Sequence, residues 1–179
     1  MRSDLSLVNF EKKHYETYQK LINSCFFQMR YEIGIKPYLE YCDTLEETLK
    51  QSHNIYLYIN EDDELIAAIT FDDNKITNVA VGLAHQGQGI GRRIVEFAIS
   101  RIQAIQSIRQ TEQIYHKGLA EPKKPINLTV AKWNKNAVGL YLSMGFAIVK
   151  ETEVKGVCTQ DEEGNWIFDF VEKDGLDMI

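Results

Sequence analysis

Cysteine is scarce in this 179-residue chain: Cys25, Cys42 and Cys158 are widely spaced and form no metal-like pair. That argues against a disulfide framework and reads as reduced thiols in a cytosolic protein. Long apolar runs are missing too. No segment approaches the ~18 apolar residues of a membrane span, and the Met1-Arg2-Ser3-Asp4 start lacks the apolar run of a signal peptide. A soluble, cytoplasmic protein with no membrane partner is expected. Basic charge is not in excess: 20 Lys and Arg against 26 Asp and Glu give a net charge of −6. A nucleic-acid backbone is therefore a poor partner, whereas a cationic substrate suits the balance. His14, His53, His85 and His116 are isolated, so no metal site is expected. The sequence also lacks repeats, low-complexity tracts and a domain linker. Its length suits one domain, residues 1–179, with a real core.

What is present is apolar periodicity that changes along the chain. Leu5–Phe10 reads as a first strand, and His14–Phe27 has helical spacing through Tyr18, Leu21, Ile22 and Cys25. Residues 28–42 are aromatic-rich, and Asp43 or Thr44 caps a short helix reaching about Gln51. Ile55–Ile59 and Leu65–Phe71 flank a polar turn, and Asp72-Asp73-Asn74 leads into Ile76–Val81, a three-stranded meander. A helix follows from Ile90 to about Ile105, with Ile90, Ile94, Phe97, Ala98, Ile102 and Ile105 on one face. Residues 106–125 read as an insertion or helix extension followed by an exposed loop. Then come a strand at Ile126–Val130, a helix at Ala137–Met144 and a last hairpin, Phe146–Val157 with Trp166–Val171. The order implies one α/β domain: a mixed central sheet, antiparallel at its N-terminal strands, with flanking helices.

Between Val81 and Ile90 lies His85-Gln86-Gly87-Gln88-Gly89-Ile90-Gly91-Arg92-Arg93. A strand, a glycine turn and a helix start together make an anion site, because unpaired N–H groups and the helix dipole meet there. Two familiar phosphate loops fail on spacing. A Walker loop needs Gly, four residues, then Gly-Lys-Ser/Thr; after Gly82 and Gly87 this chain offers Gln88 in place of the lysine. A dinucleotide fingerprint needs Gly-x-Gly-x-x-Gly, and these glycines fall at 87, 89 and 91.

Gln86-x-x-Gly89-x-Gly91 after Val79-Ala80-Val81 resembles the acyl-CoA loop of GNAT-type N-acetyltransferases. A second block, Asn134 to Phe146 with Ala137, Leu140-Tyr141 and Gly145-Phe146, resembles that family's later signature. The resemblance spans about Leu5 to Val171 and implies a GNAT-like fold, with acetyl-CoA as donor and an amine as acceptor. It implies that backbone N–H groups from Gly87, Gln88, Gly89, Ile90, Gly91 and Arg92 hold the CoA pyrophosphate, with Gln86 shaping the loop. It implies that Val79, Ala80 and Val81 carry the pantetheine arm along the strand edge, with Asn134 on the other side. Val81 N–H is the candidate oxyanion donor and Tyr141 the candidate general acid toward sulfur. The family often has an acid on the preceding strand as base; residues 75–78 and Ala80 contain none, so no base is assigned. Tyr31, Tyr38 and Tyr41 with Glu32, Glu40, Asp43, Glu46 and Glu47 are candidates to line the acceptor side. The competing reading is a non-catalytic acyl-CoA-binding or regulatory protein on the same fold. A monomer or homodimer fits either.

Overall fold

The computed structural model describes the backbone at residues 5–28, 43–156, 159–160, 166–167 and 170–179, with side chains there except at 27, 28, 117 and 153–174. The meander forms as β1 (Ser6–Asn9), β2 (Ile55–Ile59), β3 (Leu65–Asp72) and β4 (Lys75–Val81), each antiparallel to the next. Asp63 and Asp73 turn the hairpins at φ 60° and 50°, a left-handed geometry that aspartate tolerates. β5 (Asn127–Ala131) lies parallel to β4, as its helical crossover requires. β6 (Ile148–Gly156) is followed by the short pair β7 (Thr159–Gln160) and β8 (Trp166–Ile167), then by β9 (Phe170–Met178). The main sheet has the order β1-β2-β3-β4-β5-β9-β6.

The last strand corrects the sequence reading, which ended the hairpin at Val171. β9 continues to Met178 and sits between β5 and β6. Its buried Leu176 and Met178 alternate with Gly175 and Asp177, and the polar neighbours hide the pattern. Asp177 is no misfit at that position, because its carboxylate accepts from the Thr129 hydroxyl at 2.7 Å.

Helices cover both faces. α1 (Tyr15–Ile22) continues through a π-helical turn, Asn23–Gln28, so the expected single helix changes its winding before its end. α2 (Leu45–Lys50) starts at Thr44, whose hydroxyl caps Glu47 N–H while Glu47 reaches back to Thr44 N–H at 2.7 Å. α3 (Ile90–Lys117) is the crossover. α4 (Lys135–Ser143) begins two residues before the expected Ala137, and Asn134 caps it.

Two apolar clusters result. On one face, Ile94, Val95, Ala98 and Ile102 of α3 pack on Ala67, Ile69 and Phe71, with Leu128, Leu176 and Met178. On the other, Tyr18, Leu21 and Ile22 of α1 pack on Ile55, Leu57, Ala68 and Ala80. β4 contributes to both through a bulge. Thr70 faces Asn78 but Phe71 faces Ile76, which leaves Thr77 as an extra residue, its hydroxyl donating to Thr70 O at 3.3 Å. One inserted residue reverses the faces of all that follow. Ile76 therefore joins the α3 side, Ala80 the α1 side, and Val79 and Val81 pack toward α3. β4 and β5 pair at Lys75–Asn127 and Ile76–Leu128, just before the bulge, and diverge beyond it.

The 106–125 segment is mostly helix. α3 runs to Lys117 and stops at Gly118, φ 72°. Its return is tied back: Gln106 Nε2 donates to Lys124 O at 3.0 Å, Gln110 Nε2 to Glu121 O at 2.8 Å, and Glu121 N–H to Gln113 Oε1 at 3.0 Å. Asp73 accepts from Lys124 Nζ at 2.9 Å and from Arg109. The Lys124 hydrogen bond, with Arg109 beside it, holds that carboxyl below the usual range.

His14 is buried where the first turn meets Phe10. Its Nδ1 accepts from Glu11 N–H at 2.9 Å, which puts the proton on Nε2, a buried atom without a partner among the described residues. Desolvation, with Lys13 adding to it, lowers this imidazole from 6.5. The folded chain then binds fewer protons than the unfolded chain as pH falls past 6.5, so stability declines from there down to the lowered native value. Urea unfolding midpoints measured on either side of 6.5 should fall on acidification in the wild type and fall less in His14→Gln, which keeps an acceptor without titrating.

Candidate active site

The divergence of β4 from β5 opens a cleft of about 450 Å³. Along β4, the hydrogen-bond alternation decides what faces it. Gly82 N–H donates to Ile66 O at 2.9 Å, so Ile66–Gly82 is a hydrogen-bonded pair of the ladder and Ala67–Val81 is not. The N–H and C=O of Val79 and Val81 therefore turn away from β3, toward the side where β5 has left. The Val81 carbonyl is engaged on that side, by Gln86 Nε2 at 3.1 Å and the Cys25 thiol at 3.2 Å.

The glycine loop continues from this edge through a 3-10 turn, Leu83–His85. Side chains brace it from within: Gln86 through Val81 O, and Gln88 Nε2 through Ala84 O at 3.2 Å. Gly87 and Gly89 hold φ of 73° and 79° with nothing near a would-be Cβ, so glycine is needed there for conformation. Gly91 sits at a close approach instead. A Cβ would stand 3.3 Å from Leu140 and 3.7 Å from Val81, where α3 passes α4.

The charge at this helix start runs against the usual rule. The first turn of α3 has no acid and carries Arg92 and Arg93, adding positive charge to the positive end of the dipole. Arg92 lines the cleft and donates to Ser143 Oγ at 2.7 Å, whereas Arg93 lies over the Tyr58 ring at 5.8 Å. Arg92 also stands 3.9 Å from the Glu96 carboxylate one turn on, and the helix start ahead of it favours an anion.

Across the cleft stand Asn134, Asn136, Ala137, Leu140 and Tyr141 from α4. Asn134 caps the helix, its Oδ1 accepting from Ala137 N–H at 3.1 Å, and also borders the cleft. Thus the two motif blocks meet: Gln86, Gly87, Gly89, Gly91 and Arg92 face Asn134 and Tyr141, with Val79 and Val81 at the base. Ala80, Gln88 and Ile90 stand apart from the lining. Ala80 is buried beneath α1, Ile90 opens α3 with its side chain in the apolar cluster, and Gln88 is exposed.

This geometry coincides with a sequence match. Residues 51–148 fit the acetyltransferase (GNAT) domain model. The chain belongs to the GNAT acetyltransferase family.

Solved GNAT structures share the whole architecture at low identity. An acetyltransferase of the family from Staphylococcus aureus Mu50 superposes with TM-score 0.60 at 15% identity, covering 97% of this chain and 98% of its own. The PaiA N-acetyltransferase of Thermoplasma acidophilum, solved with coenzyme A, gives 0.60 at 13%, covering 98% and 97%. Spermidine N-acetyltransferase of Vibrio cholerae, solved with CoA and spermine, gives 0.54 at 19%, covering 97% and 93%. No curated protein matches the sequence. Among the described residues, no helix is long and apolar enough to cross a membrane.

Within this GNAT cleft, the Tyr141 ring is buried, edge-on to Phe146 at 5.9 Å. Desolvation raises its phenol well above the ordinary tyrosine value, so it stays protonated, and its hydroxyl has no hydrogen bond from the described residues. Cys25, Phe26 and His85 also line the cleft, as the sequence reading did not anticipate. Cys25 and Phe26 look like ordinary helix-face apolar residues in sequence, and His85, although next to the glycine loop, reads there as an isolated surface histidine. Of the acceptor-side candidates, Tyr31, Glu32, Tyr38, Glu40 and Tyr41 lie outside the described residues, and Asp43, Glu46 and Glu47 are absent from the cleft lining.

The two kinds of glycine separate by substitution. Gly89→Ala imposes a left-handed φ on a residue with a Cβ and should cost about 1 kcal/mol. Gly91→Ala needs only a few tenths of an ångström from the Leu140 methyl and gains up to about 1 kcal/mol of helix propensity, leaving it near neutral. Urea midpoints of the two variants should therefore rank Gly89→Ala below Gly91→Ala.

Proposed function

We propose that this chain transfers an acetyl group from acetyl-CoA to a primary amine, by direct attack in a ternary complex. The observation that carries the reading is the open edge of β4, leading directly into a cationic glycine loop with a protonated tyrosine opposite. An extended arm with amide groups complements the Val79 and Val81 backbone as an added strand does. The pyrophosphate that ends such an arm complements the N–H groups of residues 87–92, where Arg92 adds charge.

The residues then divide the chemistry. Val81 N–H, on the same edge as its engaged carbonyl, is the donor for the oxyanion of the tetrahedral intermediate. Tyr141 hydrogen-bonds the departing sulfur and supplies its proton. Asn134 borders the arm from the α4 side. The acceptor must lose a proton before attack, since an alkylamine with pKa about 10.4 is neutral in only about one molecule per thousand at pH 7. A net charge of −6 favours the approach of such a cation.

Gly91→Glu puts a carboxylate into the loop and should weaken CoA binding on the order of 100-fold in calorimetry. Unchanged affinity in a folded variant counts against the pyrophosphate site. Tyr141→Phe should lower turnover by about 100-fold while acetyl-CoA affinity holds. The readout is thiol release, and wild-type turnover would remove Tyr141 from the reaction. Tight acetyl-CoA binding without release to any amine is the signature of the non-catalytic alternative.

A further inference from the structure

We infer that His85 is the general base of the cleft, the group that takes the proton from the acceptor's ammonium; this rests on the acetyl-transfer reading above. Among the cleft's described lining residues the side chains able to exchange a proton are Cys25, His85, Arg92 and Tyr141, and no carboxylate is present. Arg92 is a permanent cation and has no acceptor atom. The Cys25 thiol donates to the Val81 carbonyl, and burial pushes it up, away from the thiolate. Tyr141 is held protonated by burial. An imidazole is the one side chain suited to accept a proton near neutrality and release it to water.

Position supports the assignment. His85 closes the 3-10 turn immediately after β4, one residue before Gln86, whose amide holds the Val81 carbonyl. The ring lies back over Gly82, its Cδ2 at ordinary contact distance, 3.5 Å, from where a Cβ would stand. The side chain is 30% exposed, enough to exchange protons with solvent. Its Nε2 is 4.0 Å from Glu64 Oε1 in the β2–β3 turn. That carboxylate is itself fixed, because Glu64 Oε2 accepts from Asn60 Nδ2 at 3.0 Å and Glu64 N–H donates to Asn60 Oδ1 at 2.8 Å. The charged and titratable groups around His85 are therefore Glu64 from that turn, Cys25 from the π-helical turn, and Arg92 and Tyr141 from the other walls of the cleft.

The step balances in protons and electrons. The ammonium gives one proton to His85, and the freed nitrogen lone pair forms the C–N bond at the thioester carbonyl. The C–S bond then breaks, its electron pair leaving on sulfur, which takes a proton from Tyr141. The nitrogen's second surplus proton replaces the one Tyr141 gave up. His85 releases the first to water, so one amide, one thiol and one free proton result.

The test uses the full chain with acetyl-CoA and three acceptor probes: spermidine, an alanine-ended peptide and ethylamine. For the fastest of these, His85→Gln should lower turnover by about 100-fold at pH about 7. The deficit should shrink strongly at pH about 9.5, where the free amine no longer needs a base. Acetyl-CoA affinity in calorimetry should stay at the wild-type value, and His85→Asn should repeat the result if the glutamine variant misfolds. Wild-type turnover in the folded variant overturns the assignment, as does a deficit equal at both pH values, which would mean the ring acts by packing. If the wild type binds acetyl-CoA but acetylates none of the probes, the acetyl-transfer reading fails first and the base assignment falls with it.

Discussion

Thr77 stands unpaired in β4 between Ile76, which faces Phe71, and Asn78, which faces Thr70, and its hydroxyl rests on the Thr70 carbonyl. Up to that residue β4 has a parallel partner in β5; beyond it the two strands part. The bulge bends the strand and exchanges its faces, so Val79 and Val81 meet α3 while their backbone groups look into the gap. A regular β4 would have kept pairing with β5 and closed the cleft. The glycine loop, the engaged Val81 carbonyl and the α4 wall all take their places from that opening.

Two unlike constraints then share the short run from Gly87 to Gly91. Gly87 and Gly89 answer to backbone dihedrals, and Gly91 to the contact of α3 with α4. Above them the arginines add charge where a helix already carries its positive end. Arg92 recovers part of that cost through Ser143 and Glu96, and Arg93 through the Tyr58 ring. On the proposed reading a bound pyrophosphate supplies the rest, so stability is conceded where binding would be strengthened.

The meander, the crossover helix and the meeting of the two motif blocks were legible because each has strong local signals. Ile55 to Val81 alternate between turns, and the glycine spacing excludes other phosphate loops. β9 was not legible, since Leu176 and Met178 are too few to mark a strand among Glu172, Lys173, Asp174, Gly175 and Asp177. The bulge was hidden for another reason. A register shift at Thr77 depends on Thr70 and Phe71 in a different strand, and no local pattern encodes it. The capping role of Asn134 follows from a helix start two residues upstream of Ala137, a boundary that no local pattern marks. Cys25 and Phe26 reach the cleft only because α1 changes to π winding before its end.

The tied return after α3 bears on how this chain tolerates change. Gln106, Gln110 and Gln113 fasten the return at Glu121 and Lys124 to the helix before it, and Asp73, through Lys124 and Arg109, fastens both to the start of β4. Val81 is at the other end of that strand. Lengthening a surface connection costs only about 0.6 kcal/mol per doubling. Residues added around Gly118 would therefore leave the Val81 end of β4 as it is, which makes this bend a natural place for insertions to accumulate and a practical point to attach a label or fusion partner.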